Sequence, residues 1–452
     1  MEDDYEDISN AAFMAFSTKA TSDKAKQLVV EVLHLLQQSE QRKRKRKATD
    51  QASFERGVEL VVSDLLSTLA NKRSSWVYRS MFRNTFSGEP IGADTFNNII
   101  NLMQDNDLLE THKGGNVANP FYNPSASSPK FNPGKARRFR PSEALVLLAD
   151  SYDINGDNFY DHFTVSLPKK PIRLRAARGN FRSRMDRGVV IRFEETEQTR
   201  ALTHQVQSLN EYLIDHTLEG GNFNGYIRGF NEGNHPAFNW DRGGRLYAVG
   251  ADSYQLLKKA ERLKMKIDGK PVAEIDINAS FLRIFHSLID QPLPDRDDPY
   301  TVDGLPRDVV KAWVTATFGH SKFHQSWPPG LNKRLRDDGI DTSKGMSMTK
   351  VQEKVVEAIP SFKLWKPEEH GWPRLMFLES DQMIASMEQL RDKYDIPAFS
   401  IHDSVVVPKE DVEIATAVLR ERFEGGFGLE FRFTAHFSDN HSVTIKDSLK
   451  PL

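Results

Sequence analysis

The chain contains no cysteine in 452 residues. That absence excludes disulfides, thiolate zinc sites and a cysteine nucleophile, and it fits a reducing, intracellular setting. Long apolar runs are missing too: none approaches the ~20 residues needed to span a bilayer. The amino terminus, MEDDYEDIS, is acidic where a signal peptide would be basic. Together these lacks give the expectation of a soluble, cytoplasmic protein that makes no membrane contact. Excess charge of one sign is also absent, the net charge being -2. That balance hides segregation: an acidic start, an unbroken basic block from Arg42 to Lys47, and a basic belt from Lys169 to Arg192. Clustered basic charge is compatible with a nucleic-acid partner whatever the total. The length suits two or three domains.

Residues 1–50 carry an apolar-periodic helix from Ala25 to Leu36 and end in RKRKRK, whose repelling charges predict a flexible, solvated arm. Phosphate contact and a nuclear-localisation-like match are the functional alternatives for that block. Residues 51–155 switch to short helical segments: Val58 to Ala70, Trp76 to Phe82, and a capped helix opening at Asp94. A strand and glycine turn (DNDLLETHKGGN) follow, then RRFRPSEALVLLAD. Helix, turn, helix and a basic strand pair resemble a winged helix, with a second helix suited to a major groove; a small helical domain packing on the main body gives the same pattern. Asn119 to Lys135, rich in Pro, Asn and Ser, reads as the loop at the wing.

Residues 156–235 form a basic linker or thumb-like region. Arg173, Arg175, Arg178, Arg182, Arg184 and Arg187 lie among small and apolar residues, with Phe181 and Phe193 interleaved. A charge run is usually a solvated face, but this density of Arg favours phosphate contacts and stacking. Gln198 to Leu218 reads as an amphipathic scaffold helix.

The chemistry concentrates in residues 236–452. Two strand-like runs, PVAEIDINASFLRIF from Pro271 and IPAFSIHDSVVVP from Ile396, each place an aspartate, Asp276 or Asp403, among Val, Ile, Ala and Phe. A carboxylate taken out of water needs a cation or a hydrogen-bonding partner. Backbone amides or an arginine would satisfy either one alone. Side by side, the two would suit a pair of divalent ions roughly 4 Å apart, as in nucleotidyl transfer.

Four elements then occur in an order that resembles A-family DNA polymerases and single-subunit, phage-type RNA polymerases. FNWDRGGRLYAV, Phe238 to Val249, is similar to the arginine-bearing segment that contacts nucleic acid near the primer or product end; the resemblance implies that role for Arg245, with Arg242 beside it. Asp276-Ile-Asn-Ala-Ser-Phe-Leu282-Arg283 has the spacing of motif A, with Phe281 where A-family DNA polymerases usually carry a sugar-selecting Glu. Arg307 and Lys311 share one helical face, like the triphosphate-gripping pair of motif B. Phe318-Gly319 follows one residue closer to the Lys than in the family, implying stacking of Phe318 near the incoming base. His402-Asp403 matches the hairpin tip of motif C, and Ser404 is the phage-type residue at the next position.

The resemblance covers about the carboxy-terminal half. It implies an α+β chain: a right-hand polymerase palm on an antiparallel sheet, short helical fingers, and the N-terminal winged-helix-like module. Asp276 and Asp403 would hold two Mg2+ (or Mn2+) ions. Lys311 and Arg307 would grip a nucleoside triphosphate, His402 would position the primer terminus, and Arg242, Arg245, Arg283 and the Arg173, Arg175, Arg178 and Arg182 belt would touch nucleic acid. Partners would be a DNA template, primed or single-stranded, and nucleoside triphosphates. Ser404 and RGGRLY lean to RNA synthesis, whereas Leu282-Arg283 leans to DNA. A primase or replicative polymerase of a mobile element fits by analogy. The alternative is a non-enzymatic DNA-binding replication or regulatory protein with a degenerate palm.

Overall fold

A computed structural model describes residues 7–8, 11–42, 44–71, 74–81, 83–86, 89–112, 136–177, 188, 190–250, 253–294, 296, 298–343, 345–439 and 441–445. The architecture is mixed α+β, and the chain divides into two units that it enters more than once. Unit 1 comprises Met1–Arg173, Val189–Ile227 and Tyr247–Lys258; unit 2 comprises Leu174–Gly188, Arg228–Leu246 and Lys259–Leu452. Among the described residues, no helix is long and apolar enough to cross a membrane.

In unit 1 most of the described residues among the first fifty belong to strands and helices of the fold and do not form a free arm. Strand β1 (Ala12–Phe13) runs parallel to β2 (Val77–Arg79). Helix α1 (Asp23–Ser39) starts where the Ser22 hydroxyl accepts the Ala25 amide at 3.1 Å, a side-chain N-cap. Its Ala25, Leu28, Val29, Val32 and Leu36 recur at helical spacing and are buried, which welds it into the core with α2 (Ala48–Ala70). The basic block is correspondingly tied down at one end. Arg46 pairs with Glu40 at 2.6 Å and lies 3.7 Å over the Phe54 ring, so desolvated partners offset the charge repulsion there.

Trp76 to Phe82, expected as a helical segment, instead contains β2. The β-branched and aromatic residues of Val77-Tyr78-Arg79 pair antiparallel with β4 (Arg137–Pro141). Helix α3 (Ala93–Asp105) follows, then β3 (Leu109–His112), which also pairs antiparallel with β4, so the sheet order is β1-β2-β4-β3. The loop that would join β3 to β4 lies outside the described residues. Helix α3 carries Asp94 and Asp105 and no Lys or Arg. Arg140 of β4 is paired with Glu110 at 2.6 Å, and the Arg138 Nε donates to the Ile8 carbonyl at 2.7 Å.

Unit 2 is built around strand β5 (Lys270–Ile277), flanked by β7 (Ser404–Pro408) on one side and β8 (Phe433–His436) on the other, all antiparallel. Outside these, β6 (Phe399–Ile401) pairs with β7, and β9 (Ser442–Ile445) pairs with β8. Val272, Ala273, Ile275 and Ile277 are buried, as a central strand covered on both faces requires. Helix α4 (Ser280–Leu288) leaves β5, α5 (Arg307–Phe318) follows, and α6 (Trp372–Tyr394) packs on α4 and on α7 (Val412–Phe427). The buried Met383, Ile384, Met387 and Leu390 of α6 are core.

Candidate active site

The antiparallel register brings the two sequence-distant aspartates to adjoining strands. Asp276 stands opposite Ser404 on β7, so Asp403 is the residue next to its cross-strand partner. The Ile277 amide donates to the Asp403 carbonyl at 3.1 Å, which ties the hairpin tip to the end of β5. Ile401 pairs with Ser404, leaving His402-Asp403 as a two-residue hairpin loop. His402 adopts a left-handed backbone, φ 57°, and Ala279, just after β5, does so at φ 53°. Non-glycine residues in that region are strained, and such strain persists where the surrounding pairing over-determines it.

The two carboxylates differ in their surroundings. Asp403 is exposed at the tip and, among the described residues, has no ion pair. Asp276 is half-buried, with Lys259 Nζ 2.5 Å and His436 Nε2 2.9 Å from the same Oδ2. A third acid, Glu274, points from the same strand but is fully buried and spoken for: Arg262 Nε and Nη2 each donate to it at 2.9 Å.

Behind the tip lies an ion pair that sequence patterns did not single out. Arg245, on the strand Gly243–Ala248, donates through Nε to the buried Glu379 of α6 at 3.1 Å, and a second guanidinium nitrogen reaches the same carboxylate. The Ser280 hydroxyl at the start of α4 donates to the other Glu379 oxygen. Burial pushes the Glu379 carboxyl above its ordinary pKa, Arg245 pulls the other way, and the nearby Asp403 charge adds to the rise. Arg245 also sits 5.6 Å over the Phe281 ring. The two glycines before it are needed: at Gly243 (φ 83°) a Cβ would fall 2.5 Å from the Asn231 side chain and 2.9 Å from the Gly229 carbonyl, and at Gly244 (φ 83°) 3.0 Å from the Ser380 hydroxyl. Desolvation by the protein packed around its exposed ring, with Arg245 and Arg262 nearby, holds His402 below the usual histidine pKa.

Helix α5 presents Arg307 and Lys311 on its exposed stripe. Arg307 is paired with Asp298 and lies 5.5 Å over the Tyr300 ring. Lys311 is exposed and, among the described residues, has no ion pair. Tyr300 was not singled out from the sequence either. It is 7% exposed, and its hydroxyl is pushed well above the ordinary phenol pKa by burial, within the fields of Arg307, Asp298, Asp403 and Arg283.

Other sequence candidates are placed differently. Phe318, expected to stack near a base, is 2% exposed and packs at 5.5 Å on Phe285 and 5.8 Å on Phe362; the helix ends at Gly319 with its last aromatic turned into the core. Arg283, expected at nucleic acid, is buried, donating to the Asn278 carbonyl at 3.1 Å and the Glu430 carbonyl at 2.6 Å, so it anchors α4. Arg242 pairs with Glu232 at 2.9 Å. Arg173 is held at 2.7 Å by the buried Glu89, which also pairs with Arg79 at 3.4 Å, so it is tied down inside unit 1. Arg175 Nη1 donates to the Gly188 carbonyl at 3.0 Å. Arg178, Arg182, Arg184 and Arg187 lie outside the described residues.

As a cation site, the donor set is small and hard. Lys259 and His436 both converge on Oδ2 of Asp276, leaving Oδ1, and Asp403 is exposed at the tip. One or two carboxylates completed by water and phosphate oxygens is how Mg2+ is usually held, so these residues fit it. Among the described residues, no cluster of three or more His, Cys, Asp and Glu offers an all-protein metal cage.

No family model matches this chain, and no curated protein matches it. Among solved structures, the chain is similar to the POL domain of Pol1 from M. smegmatis in complex with DNA primer-template and dNTP, at 12% identity and a TM-score of 0.28. The match covers 53% of this chain and 51% of the other, so the chain spans about half the length of that structure.

Proposed function

We propose that unit 2 is a polymerase-like palm of the A-family and phage-type kind, and that the protein is a cytoplasmic nucleotidyltransferase adding nucleotides to a 3'-hydroxyl on a template. The observation that carries this reading is the register that sets Asp276 beside the Ser404 position and so places Asp403 at the same end of the sheet. Two Mg2+ or Mn2+ ions bound there would acidify the attacking hydroxyl and neutralise the triphosphate. Asp276 and Asp403 hold those ions. Lys311, exposed on its helix, grips the triphosphate with Arg307, where a fixed cation stabilises charge developing on the leaving group. Arg245, fixed from behind by Glu379, touches the product strand, and His402 orients the primer terminus. Phe281 borders the nucleotide beside Arg245.

DNA is the proposed template. Residues 51–155 are proposed as a winged helix on the order helix, strand, helix, hairpin strands. Since α3 carries two aspartates and no base, its contact with DNA would run through other surfaces, or the module would dock on protein.

The test is extension on primed and unprimed templates with Mg2+ or Mn2+ and either dNTPs or NTPs, comparing wild type with Asp276→Ala and Asp403→Ala. Extension lost in both variants with template binding retained supports the reading, and the preferred nucleotide fixes the sugar. Template binding without extension under every condition overturns it in favour of a non-enzymatic DNA-binding replication protein.

A further inference from the structure

Lys259 is not needed as the counter-ion of Glu274. Its neighbour Glu274 is already neutralised by the bidentate Arg262, and Lys259 is only 3.8 Å from that carboxylate. The close contact is with Asp276 Oδ2 at 2.5 Å. Arg262 is packed, its side chain 11% exposed, whereas the Lys259 side chain is 38% exposed and has solvent to move into. His436, on β8, approaches the same Oδ2 at 2.9 Å.

We propose that Lys259 is a displaceable internal cation, holding Asp276 in the metal-free protein and competing with a divalent ion for that carboxylate. The inference rests on Asp276 and Asp403 being cation ligands, as proposed above. An ammonium 2.5 Å from Oδ2 stands within a few ångströms of any divalent ion held by Oδ1 of the same carboxylate, and two cations so close repel strongly. A lysine suits the role because its compact charge rides on a flexible stem. Asp276 with only the His436 ring beside it would be a half-buried charge on the central strand, a costly state for the metal-free fold. Asp403, with no such partner among the described residues, can engage a cation with no displacement.

The experiment is titration of the full chain with Mn2+ alone, free ion being read by electron paramagnetic resonance, alongside thermal melting with and without Mn2+. Lys259→Met is expected to bind Mn2+ about fivefold more tightly than wild type, as loss of a half-exposed competing pair implies. It should also melt lower without the ion and gain more from adding it. Lys259→Arg should restore wild-type affinity. A folded Lys259→Met with unchanged or weaker Mn2+ binding overturns the proposal. Should Lys259→Met fail to fold, Lys259→Gln gives the same comparison with a polar side chain. Asp276→Asn and Asp403→Ala separate the two levels: Mn2+ binding that neither alters, or no binding by wild type and the Lys259 variants alike, removes the cation site itself.

Discussion

Replacing Glu379 by alanine is expected to destabilise the protein by about 3–5 kcal/mol, the usual cost of removing one partner of a buried ion pair. Glu379 has 0% exposure, and the Arg245 side chain that it neutralises is 16% exposed. The truncation therefore takes the carboxylate from a largely buried guanidinium and removes the acceptor of the Ser280 hydroxyl. Glu379→Gln keeps one carbonyl oxygen, enough for Arg245 or for Ser280, and should cost about half as much. The double replacement Arg245→Met with Glu379→Met removes both charges and fills the space, so it should fall within about 2 kcal/mol of wild type. Urea unfolding of the wild type, the two single Met variants and the double closes the cycle, with an expected interaction energy of at least about 2 kcal/mol. Additivity to within about 0.5 kcal/mol would refute the claim that this pair fixes the Arg245 strand against α6. Extension should fall in Glu379→Ala even where the protein remains folded, because Arg245 loses the contact that aims it.

Asp64, wholly buried and accepting the Phe16 amide at 2.7 Å, is raised by burial from 3.8 to about 6. Between those values the folded protein keeps a proton that the unfolded chain has released. The contribution is present below the unfolded pKa and is lost as pH rises through 6, a change of about 3 kcal/mol. Asp64→Asn should flatten that slope and exceed wild-type stability at pH 8; parallel pH profiles from denaturant titrations would exclude it. Phe318→Ala should cost about 3–5 kcal/mol in unfolding experiments, as for any large buried aromatic. Lys311→Ala should change stability by less than about 0.5 kcal/mol yet lower extension at least about tenfold; a destabilised Lys311→Ala with normal kinetics would reverse the two assignments. His402→Gly should relieve the left-handed backbone and raise stability by up to about 1 kcal/mol while reducing extension; a lower melting temperature would show that the ring contributes more than the strain costs.

Periodicity made the long amphipathic helices legible, and it failed where charge or length misled. The helix from Ala25 to Leu36 was visible, but RKRKRK after it suggested a detached arm; its tethering by Glu40 and the Phe54 ring depends on α2, which begins ten residues before the apolar spacing at Val58 becomes clear. Three residues of strand at Val77 were too few to assert a period of two against a helical neighbourhood. The arginine belt showed the same weakness. Composition reveals the charge at Arg173 but not Glu89, 84 residues away, which pairs with it.

The candidate site was legible where function writes a local pattern and illegible where the partner comes from elsewhere in the chain. An aspartate within a strand-like run stands out because burying a charge is expensive; that reason holds for the half-buried Asp276, whereas Asp403, read as part of a strand, lies exposed in the hairpin loop. Glu379, Lys259, His436 and Tyr300 carry no comparable signal: each lies on an element that reads as an ordinary helix, loop or strand, and each acquires meaning only from what the fold sets beside it. The strained backbones at Ala279 and His402 are hidden for a related reason. A search for glycine or asparagine would miss both, yet each lies within three residues of a candidate carboxylate. Holding non-glycine residues there at a cost of about 1–3 kcal/mol each is reasonable only if their side chains or the turns they enforce are needed. Both strained positions stand at the same end of the β5–β7 pair, one beside Asp276 and the other beside Asp403.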